Sequence, residues 1–165
     1  MNRNNCQLDQ GVLLVLDRDR AKEIFAAREP ANLLEFIKTQ AGDGSLVDAG
    51  FVLDLQGSGD RLQNQLVDPA LTSDDLRPVL EATLLGGRPL ADEQGFQVRL
   101  VRPDLVRHIA SALDTIDGPT FAAQWPESAD QSRNVIAELD SIRQLYRRAS
   151  EASAAVVFAR VQNHE

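Results

Sequence analysis

The chain has 165 residues, of which 43% are hydrophobic and 25% are charged, as is usual for one globular domain. Its 17 basic and 25 acidic residues give a net charge of −8, and a surface of this sign repels nucleic acids and anionic membranes. The single cysteine, Cys6, excludes an intrachain disulfide, and the chain lacks the cluster of Cys and His residues that a structural zinc site needs.

The N-terminal part of the chain predicts a tail followed by a buried strand. Residues 1–10 are polar and predict a flexible tail, whereas residues 11–162 predict a single domain. The run from Gly11 to Leu16 is continuously apolar, as in a strand that is covered on both faces. Because this longest apolar run is too short to cross a bilayer and no signal peptide precedes it, we expect a cytoplasmic protein.

Two helices and a second strand are predicted over residues 17–55. Asp17 or Asp19 caps a helix that continues to about residue 28, and Pro30 separates this helix from a short one over residues 31–38. The glycines of residues 42–45 predict a loop. Residues 51–55 predict a short strand.

The middle of the chain combines glycine-rich loops with two predicted helices. Residues 56–60 predict a flexible loop, after which Asp60 caps a helix through Leu66. A further helix begins near Arg77 and ends at Gly86-Gly87, since glycine is common just beyond the end of a helix. Residues 96–100 alternate apolar and polar side chains, which predicts a half-buried strand.

The C-terminal part predicts two long helices and a strand. Pro103 begins a helix whose apolar residues recur at helical spacing as far as Ile116. Residues 127–132 predict a loop. Residues 135–149 then carry the strongest helical pattern of the chain. Residues 154–161 predict the last strand. These elements predict an α/β (α+β) fold with one mixed sheet of about four strands between helical layers. The strands from the two chain ends lie at its centre.

The sequence contains no recognisable catalytic or metal-binding pattern. His164 is the penultimate residue, and His108 is interpreted as a boundary residue of its helix rather than as a catalyst. Gly57-Ser58-Gly59 lacks the spacing of a nucleophile elbow, and the flanking Asp54 and Asp60 would repel a phosphate. We therefore expect no cofactor and no metal, and we favour a function without catalysis.

Most of the net charge lies in residues 43–75, which we call the acidic segment. It contains seven aspartates and one basic residue, Arg61, so that it carries −6 of the total −8. A run of charge is usually a solvated face, but this one coincides with glycine-rich loops of the kind that bind partners. We interpret it as an acidic surface for a basic protein partner. Helix capping accounts for Asp74 and Asp75 before a metal site does.

Four segments, in this order and spacing, resemble the YfbM-like family of bacterial proteins of unknown function. They are Leu53-Asp54-Leu55 with Asp60, Leu62 and Leu66 after it; residues 82–90; residues 102–116 with Phe121 after them; and residues 139–149 with the strand 155–158 after them. The resemblance covers roughly residues 8–161, and it implies one α/β domain without a known activity. Family members commonly carry a Trp and a His, with a Lys nearby, where this chain has Gly59, Gln63 and Gly57. Any site that this Trp/His cluster serves in the family would lack its titratable part here.

Three functions remain open on the sequence. The first is a non-enzymatic protein-interaction module, in its specific form a toxin-neutralising immunity-type protein whose acidic loops cover a basic active site. The alternative is a small-molecule or nucleotide-binding protein with weak or no enzymatic activity, and the third is a scaffold or oligomer subunit. The alternative predicts a pocket at the strand ends formed by Asp54, Arg61, Arg88 and Tyr146, and the acidic surface adds Asp60, Asp74 and Asp75 to the candidate binding residues.

Overall fold

Five strands of the chain form one sheet, and helices pack on both of its faces. The structure is a computed structural model that describes residues 11–27, 29–55, 63, 66, 68, 74–83, 87–93, 95–123 and 129–161. The α/β fold with a sheet between helical layers is therefore confirmed. The predicted tail over residues 1–10 lies outside the described residues.

The strands are β1 (Val12–Leu16), β2 (Val52–Asp54), β3 (Arg88–Glu93), β4 (Phe96–Val101) and β5 (Ala155–Val161). Their order in the sheet is β2-β1-β5-β4-β3, and every neighbouring pair is antiparallel. The strands from the two chain ends are adjacent and lie inside the sheet, as predicted. The sheet is antiparallel rather than mixed, and it has five strands rather than about four.

The strand that the sequence analysis missed is β3, an edge strand that contains a proline. Pro89 has no N–H to donate to a neighbouring strand, so a proline is tolerated at the edge of a sheet but weakens the pattern expected of a strand. The register between β3 and β4 shifts between Pro89 and Ala91, which further disturbs the alternation of side chains. Gly95 lies in the turn that joins β3 to β4 and has a φ of +84°, a conformation that favours glycine.

Seven helices are seen in the described ranges. They are α1 (Arg18–Ala26), α2 (Pro30–Ala41), α3 (Gly44–Asp48), α4 (Arg77–Leu80), α5 (Pro103–Asp114), α6 (Gly118–Ala123) and α7 (Ala129–Glu151). The predicted loop over 42–45 is in part helical, because Asp43 caps α3 and accepts hydrogen bonds from the backbone N–H groups of Ser45 and Leu46. The helix predicted to continue to Gly86 ends at Leu80, and the predicted loop over 127–132 forms the beginning of α7 from Ala129.

Each face of the sheet has its own core. The helices α5, α6 and α7 pack on the face that contains Leu13, Val15 and Val156, whereas α1 and α2 pack on the opposite face, with Leu14 and Val157. Because β1 is covered on both sides, all of its five residues are buried, which explains its continuous apolar sequence. Within the part of the chain that the structure describes, no helix has the length and apolar character to span a bilayer.

We expect Val157→Ala to lower the free energy of unfolding by about 1–3 kcal/mol, since it removes two buried methyl groups from the central strand. The matched control is Val47→Ala. It removes the same groups from a side chain that is 50% exposed, and it is expected to change the free energy by less than about 0.5 kcal/mol. Urea unfolding followed by circular dichroism measures both effects. Equal losses for the two variants would contradict the burial of Val157.

Candidate functional site

The first half of the acidic segment forms α3, the turn after it and the edge strand β2. Asp48 and Asp54 are exposed there, at the end of α3 and at the end of β2. Asp43 is half-buried at the start of α3, and its carboxylate lies 3.8 Å from the guanidinium of Arg20. Hydrogen bonds from Ser45, from its hydroxyl and from its backbone N–H, lower the pKa of Asp43.

Backbone hydrogen bonds fix α3 and β2 against the rest of the domain. The N–H of Phe51 donates to the carbonyl of Leu46 at 2.9 Å, and the N–H of Val15 in β1 donates to the carbonyl of Phe51 at 2.8 Å. Gly50 lies in the turn between α3 and β2 with a φ of +76°, and a Cβ there would collide with the guanidinium of Arg148. The segment therefore holds the exposed side chains of Val47 and Asp48 at a defined position.

The end of the acidic segment lies just before α4. Asp74 and Asp75 are exposed, and the carboxylate of Asp74 forms an ion pair of 2.9 Å with Arg77 in the first turn of α4. The prediction that Asp74 and Asp75 cap a helix is wrong, because Leu76 is the residue before α4 and no side chain there accepts a capping hydrogen bond. Asp60 and Arg61 lie outside the described residues.

Tyr146 and Gln63 are buried, and both bind the backbone at the end of α4 or in the turn after it. The hydroxyl of Tyr146 donates a hydrogen bond to the carbonyl of Thr83, and the side-chain N–H of Gln63 donates to the carbonyl of Leu80 at 3.0 Å. Burial raises the pKa of the Tyr146 phenol far above its usual range. Tyr146 and Gln63 therefore serve the core.

The described members of the predicted strand-end pocket do not come together. Asp54 lies on the edge strand β2 and Arg88 on the opposite edge strand β3, four inter-strand spacings apart, which is roughly 19 Å. Tyr146 lies in the core on one face of the sheet. Among the described residues, no three His, Cys, Asp or Glu side chains are close enough together to hold a metal ion.

Arg88 instead lines a groove between the start of β3 and the first two turns of α5, which we call the β3–α5 groove. Its volume is about 380 Å³, and its walls are formed by Gly87, Arg88, Leu100, Arg102, Asp104, Leu105 and His108. Arg102 and His108 were not among the predicted binding residues. Both residues line the same groove as Arg88 because Arg88 pairs with Leu100 across β3 and β4. The sequence did not predict β3, and for this reason it did not predict the groove.

A second groove, of about 270 Å³, lies beside α1 at the same end of the sheet. Its lining is mostly apolar and includes Phe25, which is 44% exposed, together with Leu16, Asp17, Arg18, Ala21, Lys22, Pro103, Ser153 and Ala155. The guanidinium of Arg88 lies 5.7 Å from the centre of the Phe25 ring, at the distance of a cation–π contact. This contact joins the two grooves.

A solved structure shares this architecture. The crystal structure of YfbM from Escherichia coli, a protein of unknown function, matches the chain with a TM-score of 0.62 and 15% sequence identity, over 90% of this chain and 98% of that one. The chain has a YfbM-like fold. The resemblance seen in the sequence is thus confirmed at the level of the fold. No protein-family model matches the chain, and no curated protein matches its sequence.

We expect Tyr146→Phe to lower the free energy of unfolding by about 1–3 kcal/mol, because the buried carbonyl of Thr83 loses its donor. Ser141→Ala is the control in the same helix. It removes a hydroxyl that donates to the carbonyl of Ala137 at an exposed site, where water replaces it at a cost below about 0.5 kcal/mol. Thermal unfolding measures both, and a Tyr146→Phe variant as stable as the unmodified chain would refute the anchoring role.

The cap of α3 predicts a stability that depends on pH. Because the pKa of Asp43 is lowered in the folded chain, its stabilisation is complete above the ordinary aspartate value of about 3.9 and is lost as the pH falls through the lowered value. Asp43→Ala should therefore lower the melting temperature at neutral pH, and the difference should shrink as the pH falls through the lowered pKa of Asp43. Asp48→Ala, in the same helix, controls for the loss of an exposed carboxylate. A difference for Asp43→Ala that stays constant with pH would contradict this cap.

Proposed function

We propose that this protein is a non-enzymatic protein-binding module that binds a basic partner through its acidic segment. The specific form that we propose is an immunity-type protein, whose partner is a toxin with a basic active site. The observation that carries the proposal is the surface of α3, where the exposed side chain of Val47 lies next to the exposed carboxylate of Asp48 on a helix that the backbone holds in place.

An exposed apolar side chain with charged neighbours has the composition of a small protein interface. The centre of such an interface excludes water and supplies most of the binding energy, whereas its rim is polar. Val47 is a large hydrophobic side chain that is half exposed in this domain, and the acidic segment surrounds it in sequence. A partner that covers Val47 would therefore meet carboxylates around the contact.

The charge of the acidic segment favours a basic partner. Arg20 and Arg77 approach Asp43 and Asp74 and offset part of the negative charge. The carboxylates of Asp48 and Asp75 are exposed, so that a net negative field remains at this surface. Such a field accelerates the approach of a basic protein and selects against acidic ones, and salt screens it.

The test is affinity capture from the native host with three versions of the full chain. The first is the unmodified chain, the second carries Asp48→Lys, Asp54→Lys and Asp75→Lys, and the third carries Glu23→Lys, Glu35→Lys and Glu151→Lys as a control. Both variants have the same net charge, and the three glutamates are exposed outside the acidic segment.

We expect the unmodified chain and the control to retain the same basic protein at low salt, and the aspartate variant to lose it, since the contact depends on where the charge lies. High salt should weaken the retained contact. Val47→Asp should also weaken the contact with the partner, because it replaces the apolar side chain at the centre of the proposed interface with a charged one. A partner that both charge variants retain equally, or the capture of acidic proteins alone, would contradict the proposal.

A further inference from the structure

We propose that the β3–α5 groove is a binding site for the phosphate group of a small anionic molecule. The groove concentrates positive charge on a chain whose net charge is −8. Arg88, Arg102 and His108 are among the residues that line the groove, and their guanidinium and imidazole groups can donate hydrogen bonds. This inference does not depend on the protein-binding function proposed above.

The position of Arg88 follows from a close approach of two strands. A Cβ on Gly87 would lie 2.9 Å from the carbonyl oxygen of Leu100, so that only glycine lets the chain enter β3 this near to β4. Arg88 then pairs with Leu100, two residues before Arg102 at the start of α5. The end of β4 and the beginning of α5 thus bring Arg88, Arg102 and His108 to one groove.

An aromatic ring lies beside the guanidinium of Arg88. The ring of Phe25 contacts it at 5.7 Å, and no carboxylate in the described part of the chain lies within ion-pair distance of it. A guanidinium that stacks on an aromatic ring keeps its N–H groups available at its edge. Holding the side chain in one place beforehand reduces the conformational entropy that binding costs.

One carboxylate in the groove opposes an anion. Asp104 forms an ion pair of 3.3 Å with Arg102, and both side chains are more than half exposed. An ion pair in this much solvent contributes little, so that an anionic ligand can compete for Arg102. The carboxylate of Asp104 nevertheless repels an anionic ligand and reduces the affinity for it. Removing this carboxylate should therefore strengthen binding.

The donor set of the groove favours phosphate over a carboxylate. A phosphate monoester has three peripheral oxygens and a carboxylate has two, and three of the residues that line the groove carry donor side chains. The volume of about 380 Å³ is that of a site for a small metabolite. Guanidinium groups bind phosphate with paired hydrogen bonds, which makes arginine the residue best suited to this role.

The test is a titration of the full chain with glycerol phosphate, followed by backbone and side-chain NMR and by calorimetry. Succinate serves as a carboxylate probe and sodium chloride as the screening control. We expect glycerol phosphate to shift resonances of Arg88, Arg102 and His108. Arg88→Ala and Arg102→Ala should each weaken binding about tenfold, as for the loss of a charged hydrogen bond, and Asp104→Asn should strengthen it.

The matched control is Arg147→Ala. Arg147 is exposed and pairs with Asp114 on another part of the surface, so that this variant changes the net charge equally but leaves the groove intact. It should bind as the unmodified chain does. Loss of affinity in Arg147→Ala equal to that in Arg88→Ala, binding of succinate but not of glycerol phosphate, or no saturable shift at all would overturn the proposal.

Discussion

The antiparallel pairing of β1 with β5 is the constraint on which the rest of the molecule depends. It joins a strand near the beginning of the chain to one near its end, with an unbroken register from Val12 opposite Ala159 to Leu16 opposite Ala155. Because helices cover both faces of this pair, nearly every side chain on it is buried. These strands supply the apolar surface on which both cores form, and burial of that surface is the main favourable contribution to folding.

The same pairing determines where the two candidate surfaces lie. With β1, β5 and β4 inside the sheet, β2 and β3 become its opposite edges, and the acidic α3–β2 region is separated from the basic β3–α5 groove. Opposite charges that lay close together would neutralise each other. The separation of β2 from β3 across the sheet keeps the carboxylate of Asp54 away from the guanidinium of Arg88, so that the two proposed sites do not compete for charge.

Strong periodic patterns in the sequence predicted the fold, and weak ones did not. The runs of β1 and β5 and the apolar stripe of α5 each match one period over many residues, and burial alone explains them. The strand β3 was missed because Pro89 and the register shift after it remove the alternation by which a strand is recognised. Likewise, α3 was not predicted, and its first two residues were assigned to a loop over 42–45, because its five residues are too few for a helical period and its cap at Asp43 stabilises it.

The candidate sites were harder to predict, because they depend on contacts between distant parts of the chain. Tyr146 was predicted in a pocket but donates to Thr83 in the core, a contact that sequence spacing does not reveal. Arg88 was predicted as a binding residue and lines a groove, although without Asp54. Arg102 and His108 line the same groove only because β3 pairs with β4. Since β3 was not predicted, the groove was not predicted either.

Native-state hydrogen exchange tests the central role of the β1–β5 pair most directly. The backbone N–H groups of β1 and β5 that pair with each other should exchange only on global unfolding, and their free energies of opening should equal the free energy of unfolding from urea titration. Those of β2 and β3, at the two edges, should open at lower free energy. Exchange in β1 or β5 as fast as in the edge strands would contradict the claim that this pair holds the domain together.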